Sequence, residues 1–289
     1  MQRVLLPILL LATTTCGSAV ESSGARGQGG DASGGAGGLA AGGAGGSVAS
    51  ESVAWIGAHP DDELYAAPYL ASLCLDEGAR CKLIVMTRGE AGQCKLPEPC
   101  LPDLATVRDA ELAASAALFG ADLVHWDLGD GLSPSPESVI NQWAQGELDD
   151  FVAQLAAELA GVDRVVTFDP RHGDSCHADH RAAGALTIAA AASAGIGPSR
   201  VHLVASRLIL EPAVPLDPQL YTFDASAVLA TTGEPAWATL VDVLQAHASQ
   251  FTPDDVAQVE AVPASQQKTW LVDLADALPD DPLYDGVCN

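Results

Sequence analysis

Basic side chains are scarce in this chain of 289 residues: 13 lysines and arginines stand against 38 aspartates and glutamates, a formal net charge of −25. With no basic cluster and only 5% aromatic residues, the chain lacks what recognition of nucleic acid or electrostatic docking to anionic lipid requires. No two of the seven cysteines stand in C-x-x-C spacing, which removes the usual cysteine metal site. Long apolar runs are also missing. Val4 to Ala12, interrupted by Pro7, is too short to span a bilayer, and nothing beyond Glu51 is long enough either.

What is there at the N-terminus has the anatomy of an export signal: Arg3, the apolar run, then small residues before Cys16. Cys16 suggests a lipidated cysteine, although Thr13, Thr14 and Thr15 are unusual residues before one. Residues 1–16 are therefore expected to be a signal segment, and membrane contact to run only through that lipid anchor, with plain secretion as the alternative. Residues 17–50 are mostly Gly, Ala and Ser and cannot bury enough surface to offset ordering entropy, so they read as a tether. Residues 51–289 form the expected folded domain. Setting Cys16 aside leaves six cysteines for an oxidising compartment. Local pairs Cys74–Cys81 and Cys94–Cys100 would leave Cys176 with Cys288, one connectivity among several. Oligomeric state is not legible.

Within that domain Val53–Ala58 reads as a buried strand, Asp62–Glu77 as a helix stopped by Gly78, and Lys82–Thr87 as a strand. Leu104–Phe119 is a helix, Leu123–Trp126 a strand, Glu137–Ala160 a long helix or helix pair, and Arg164–Phe168 a strand. His180–Ala194 is an Ala-rich helix and Val201–Leu208 a strand; beyond Leu210 a strand near Tyr221 and helices over Trp237–Gln250 and Gln266–Ala277 are expected. Regular alternation implies right-handed crossovers and a three-layer α/β domain with a mainly parallel sheet.

The most chemically loaded stretch is A-H-P-D-D-E, Ala58 to Glu63, where the first strand ends. His59 and Asp62 are three residues apart across a strand-to-helix turn, a spacing that brings imidazole and carboxylate onto one ion. A hydrolytic zinc takes about three N and O ligands and leaves a place for water. His180 in H-A-D-H, His177 to His180, after another strand, supplies the third. Zinc is the expected ion, and other divalent metals accept the same ligand types. A bound ion lowers the pKa of water to about 7, so Asp61 is the natural general base. His177 could stabilise an oxyanion or protonate a leaving amine, with Asp179 orienting it. Taken singly, each has a duller reading: Asp61 or Asp62 as a helix N-cap, the histidines as a solvated loop. Together they point to hydrolysis of an amide or ester.

These motifs resemble the metal-dependent de-N-acetylases named for the phosphatidylinositol-glycan GlcNAc deacetylase and its LmbE-like bacterial relatives (PIG-L/LmbE-like). The resemblance runs from A-H-P-D-D-E through T-R-G-E-A-G at Thr87 to Gly92, Arg108 and Glu111, Asp130 and Gly131, and H-A-D-H, to H-A-S-Q at His247 to Gln250. It implies a Rossmann-like fold, a catalytic zinc on His59, Asp62 and His180, Asp61 as base and His177 as electrophile. Arg108 and Asp130 would contact a sugar and its polar substituents, and His247 would sit on a later helix that closes the pocket. The usual H-P-D-H is H-A-D-H here, the lysine often found before H-x-S-Q is missing from Pro235 to Ala246, and Gln93 to Pro102 carries two cysteines. The expected substrate is an amino-sugar glycan or glycoconjugate outside the cytoplasm. A metal-dependent amidase on a non-sugar substrate and a non-catalytic glycan-binding lipoprotein are the alternatives, and retention of Asp61 and His177 speaks against the last.

Overall fold

The computed structural model describes residues 50–131, 133–204 and 221–277. The signal segment, Cys16, the tether, Cys288 and the expected end of a strand at Leu208 lie outside them. Among the described residues there are seven strands: β1 (Ser52–Gly57), β2 (Arg80–Val85), β3 (Asp122–His125), β4 (Arg164–Phe168), β5 (Val201–Val204), β6 (Tyr221–Asp224) and β7 (Lys268–Asp273). They form one sheet in the order β3-β2-β1-β4-β5-β7-β6. The first five are parallel, and β7 pairs antiparallel with both β5 and β6.

Strand β1 is central because its side chains are apolar on both faces. Val53 and Trp55 enter one hydrophobic cluster and Ala54 and Ile56 the other, the period of two expected of a strand covered on both sides. The first cluster lies under α1 (Ala67–Ala71), α2 (Leu104–Leu118), α6 (Ala236–Ala246) and α7 (Pro253–Glu260). The second lies under α3 (Pro136–Trp143), α4 (Leu148–Glu158) and α5 (Ala178–Ser193). The expected three-layer α/β architecture is thus present. Between β1 and β4 the strand order reverses, and that switch point opens a crevice at the carboxyl ends of the strands.

Three expectations about elements are corrected. Asp62–Glu77 is not one helix: it is a 3-10 turn over Asp62–Tyr65, then α1, then a π turn over Ser72–Asp76. Pro68 lies in the first turn of α1, where its missing N–H costs nothing, whereas a continuous helix would need that donor. The expected helix over Gln266–Ala277 is replaced by β7, because K-T-W-L-V-D finds antiparallel partners on both sides. Helix α7 was not anticipated, although its capping box, Thr252 with Asp255, is readable in T-P-D-D.

Glu137–Ala160 resolves into the pair α3 and α4, broken where Gln145 and Gly146 take positive φ. Disulfides join Cys74 to Cys81 and Cys94 to Cys100. Cys176 is also disulfide-bonded. No helix among the described residues is long and apolar enough to cross a membrane.

Candidate active site

The turn after β1 is built around the Asp62 carboxylate, whose Oδ2 accepts the backbone N–H groups of Ala58 at 2.7 Å and His59 at 2.8 Å. Both acceptor bonds fold the chain back on itself, and Gly57 leaves the room for it: a Cβ there would stand 2.9 Å from Asp62 Cβ. Asp62 therefore anchors the turn instead of capping the helix that follows. Asp61 occupies the N-cap position but makes no capping hydrogen bond. Its φ of 132° is a strained conformation for a non-glycine residue, and it turns the carboxylate to Arg108 Nη2 at 2.6 Å.

His180 arrives from the first turn of α5. Its Nδ1 donates to the Gly173 carbonyl at 2.8 Å, which leaves the Nε2 lone pair facing Asp62 Oδ1 at 3.1 Å and His59 Nδ1 at 3.2 Å. His59 Nδ1 is in turn 3.6 Å from Asp62 Oδ2. Its other nitrogen, Nε2, meets Asp130 Oδ1 at 3.0 Å and Asp179 Oδ2 at 3.2 Å. Two imidazole nitrogens and a carboxylate at these separations match the edges of a tetrahedron around an ion with bonds of about 2.0–2.1 Å. Carboxylates and a carbonyl on the far nitrogens are the outer partners that orient metal-binding histidines. This donor set fits a divalent cation. His177 also lies within reach of His59 and His180, and Asp130 and Asp179 form a second group with His59.

The electrostatics around these side chains carry the same signature. Burial would lower the pKa of His59, but Asp62, Asp130 and Asp179 outweigh it and raise it well above the ordinary value. Burial would raise Asp62, yet His180 and His59 hold it well below the carboxylate range. A proton here does what a cation would do. Burial pushes Asp61 up to about 6, partly offset by Arg108 and reinforced by Asp62, which is near the working range of a general base.

His177 is the N-cap of α5, and its Nδ1 accepts from the backbone N–H of Asp179 at 3.3 Å. Its ring is exposed at the cleft, but desolvation by the surrounding protein and the charges of His59 and His180 hold its pKa down to about 4. Neutral, with Nδ1 accepting, it carries its proton on Nε2 as a hydrogen-bond donor.

Three residues sit differently from expectation. Asp179, expected to orient His177, instead sends its carboxylate to His59 and to the Gly131 N–H at 3.0 Å, because the N-cap geometry turns its backbone, not its side chain, toward His177. Asp130 borders the cleft but is also the second carboxylate on His59, held by the Ala91 N–H at 2.9 Å. His247, expected near substrate, is fully buried with its Nε2 2.6 Å from Glu63 Oε1; α6 ends one residue before it and turns the ring inward. Arg108 does line the cleft, although its fork is spent on Asp61, the Gly89 carbonyl at 3.0 Å and the Pro60 carbonyl.

His59, Asp61, Asp62, Arg108, Asp130, His177 and His180 line one cleft of about 820 Å³, which also contains Tyr65 and Leu64 beside the turn that carries Asp62 and Phe251, Val259 and Val262 from the α7 region. Those apolar residues were not anticipated as site residues; the unanticipated α7 is what brings most of them there.

Residues 54–191 match the family model for PIG-L, GlcNAc-PI de-N-acetylase. A 1D-myo-inositol 2-acetamido-2-deoxy-alpha-D-glucopyranoside deacetylase of Mycolicibacterium smegmatis is 28% identical over 160 residues, covering 50% of this chain and 54% of the relative. The chain thus spans about half the length of the curated relatives it matches. Among solved structures, the N,N'-diacetylchitobiose deacetylase of Pyrococcus horikoshii is similar at TM-score 0.50 and 23% identity, covering 73% of this chain and 74% of that one. GalB, the 4-carboxy-2-hydroxymuconate hydratase of Pseudomonas putida, is similar at TM-score 0.50 and 18% identity, covering 72% and 82%. Structural likeness at this identity speaks for the fold and not for the reaction. The family match is confined to residues 54–191, just under half of the chain, and contains His59, Asp61, Asp62, His177 and His180, so that this segment is similar to the PIG-L (GlcNAc-PI de-N-acetylase) family.

Proposed function

We propose that this protein is a zinc-dependent hydrolase that removes an N-acyl group, acetyl in the simplest substrate, from an amino-sugar glycan or glycoconjugate outside the cytoplasm. The observation that carries this reading is the convergence of His59, Asp62 and His180 on one point, with Asp61 and His177 beside them in one cleft. A divalent ion held by these three residues supplies Lewis acidity and a water of lowered pKa. Asp61, aimed by Arg108, takes the proton of the attacking water. His177 presents its Nε2–H to the carbonyl oxygen as negative charge develops there. The amine leaves with the proton that Asp61 has carried, so one carboxylate does both the base and the acid work while the neutral imidazole serves as the electrophile.

The substrate class is supported by the relatives, whose names specify a glucosamine-inositol and a chitobiose. Export is supported by the N-terminal apolar run, Cys16 and the Gly/Ala/Ser tether, and by the two disulfides, which persist in oxidising compartments. The test is direct: protein lacking residues 1–50 is loaded with zinc, its metal content is measured, and acetate release from chitooligosaccharides and a panel of N-acyl amides is followed. One zinc per chain with release from the sugars is the expected result. Zinc without release from any amide would establish a binding protein instead, and release only from non-sugar amides would move the substrate class.

A further inference from the structure

The cleft has two unlike walls. From the layer of α3 to α5 come His177 and His180, with Asp130 and Gly131 of the loop after β3 alongside. The opposite wall is mainly apolar: Leu64 and Tyr65 beside the ion-binding turn, Leu244 of α6, then Phe251, Val259 and Val262, with the polar Lys95, Asp255 and Gln258 lining the same side. Leu64, Tyr65, Leu244, Phe251 and Val259 belong to the hydrophobic cluster of the first layer, while Phe251, Val259 and Val262 remain half open. An amide that straddles the ion-binding residues must point its two substituents apart. The sugar, with its hydroxyls, suits the polar wall; the acyl substituent faces the apolar one.

A methyl group would cover little of that wall. Its outer edge is built by the Cys94–Cys100 loop, which is pinned to the end of α6 by Lys95 N–H to the Ser249 carbonyl at 2.8 Å and Gln250 Nε2 to the Gln93 carbonyl at 3.1 Å. The loop sets Lys95 Nζ 5.7 Å from the centre of the Phe251 ring and 3.9 Å from Asp255 Oδ2. The wall therefore offers six apolar side chains, bordered at Phe251 by the Lys95–Asp255 pair.

We propose that this wall is an acyl-chain subsite, and that the preferred substrate carries a medium-chain fatty acyl group on its amide nitrogen in place of acetyl. The inference rests on the deacylase reading of the same cleft. Water's oxygen joins the acyl carbon as the C–N bond breaks. The sugar amine keeps the transferred proton, and the fatty carboxylate is released along the wall.

The experiment has a turnover arm and a binding arm. Zinc-loaded protein is assayed on glucosamine N-acylated with acetyl, butanoyl, hexanoyl and octanoyl groups, and acetate and octanoate binding are measured by calorimetry. Each buried methylene is expected to raise kcat/KM about fourfold until the wall is filled, and octanoate to bind more tightly than acetate. Phe251→Ala and, as a variant at a more open position, Val262→Asp should each cut the octanoyl-to-acetyl ratio about tenfold. A flat or falling series with normal acetyl turnover would overturn the subsite and leave the deacylase reading standing. If nothing in the series is hydrolysed, the deacylase reading falls and the binding arm decides: octanoate no tighter than acetate, or indifferent to both substitutions, overturns the subsite as well.

Discussion

His247 Nε2 lies 2.6 Å from Glu63 Oε1, and neither side chain is reached by solvent. Ser115 Oγ donates to the same oxygen at 2.5 Å, so α2, α6 and the turn carrying Asp62 meet at one carboxylate. Burial would raise the pKa of Glu63, but His247 and Ser115 outweigh it and hold it below the ordinary value. His247→Ala strands a buried charge, a defect that costs about 3–5 kcal/mol. Denaturant unfolding should show that loss, with a smaller one for His247→Gln, which keeps a donor. A residue whose role was to touch substrate would change KM at unaltered stability.

Asp61 is separable from the proposed metal ligands because its carboxylate is aimed by Arg108, not by His59 or His180. Asp61→Asn keeps the shape and should keep the metal, while kcat falls by about 10²–10⁴, the usual contribution of a general base. His180→Ala should do the reverse, losing the metal measured by elemental analysis after gel filtration. Equal metal loss in both variants would place Asp61 among the ligands.

How far all this was legible depends on where the chemistry resides. Strand β4 was readable to the residue because a buried parallel strand is an unbroken run of branched and aromatic side chains, R-V-V-T-F. Strand β7 was read as a helix because Leu274, Ala275 and Ala277 continue a helix-like composition past it, and only pairing with β5 and β6 overrides that propensity. At the site, the side chains that converge could be named from H-P-D-D and H-A-D-H. The groups that aim them could not. The Gly173 carbonyl on His180, the Gly131 N–H on Asp179 and the Ala58 N–H on Asp62 are main-chain atoms, which leave no letter in a sequence. Nor could sequence spacing divide Asp130 and Asp179 from the substrate, since both converge on His59 only once β3 and α5 are packed.

Gly57 closes the space behind Asp62. A Cβ at this position would lie 2.9 Å from both Asp62 Cβ and Trp55 Nε1 and 3.3 Å from Asp62 Oδ2. Trp55 is fully buried and Asp62 is fixed by two backbone donors, so neither can yield cheaply. Gly57→Ala should therefore displace the ligand without removing it, lowering metal affinity about 10–100-fold at a stability cost of about 1–3 kcal/mol. Competition with a chelator of known affinity reads the first quantity, and urea unfolding the second. Metal affinity unchanged by the extra methyl would show that the turn has slack.

Asp169, directly after β4, holds the loop that delivers His177 and His180. Its carboxylate accepts the Arg171 backbone N–H at 2.8 Å and the Arg171 Nε at 2.9 Å, and its carbonyl accepts the Gly173 N–H at 2.7 Å. Burial would raise its pKa, but His172 and Arg171 outweigh it and hold it well below the usual carboxylate value. A depressed folded pKa means stability that is fully present above the unfolded value of about 3.9 and is lost as pH falls toward the folded one. Urea midpoints should therefore be insensitive to this group from pH 7 to pH 5 and should drop below about pH 4. Asp169→Asn should already be less stable at pH 7, by about 1–3 kcal/mol, and should fall less steeply in acid. Parallel acid limbs for the two proteins would assign the titration to another carboxylate.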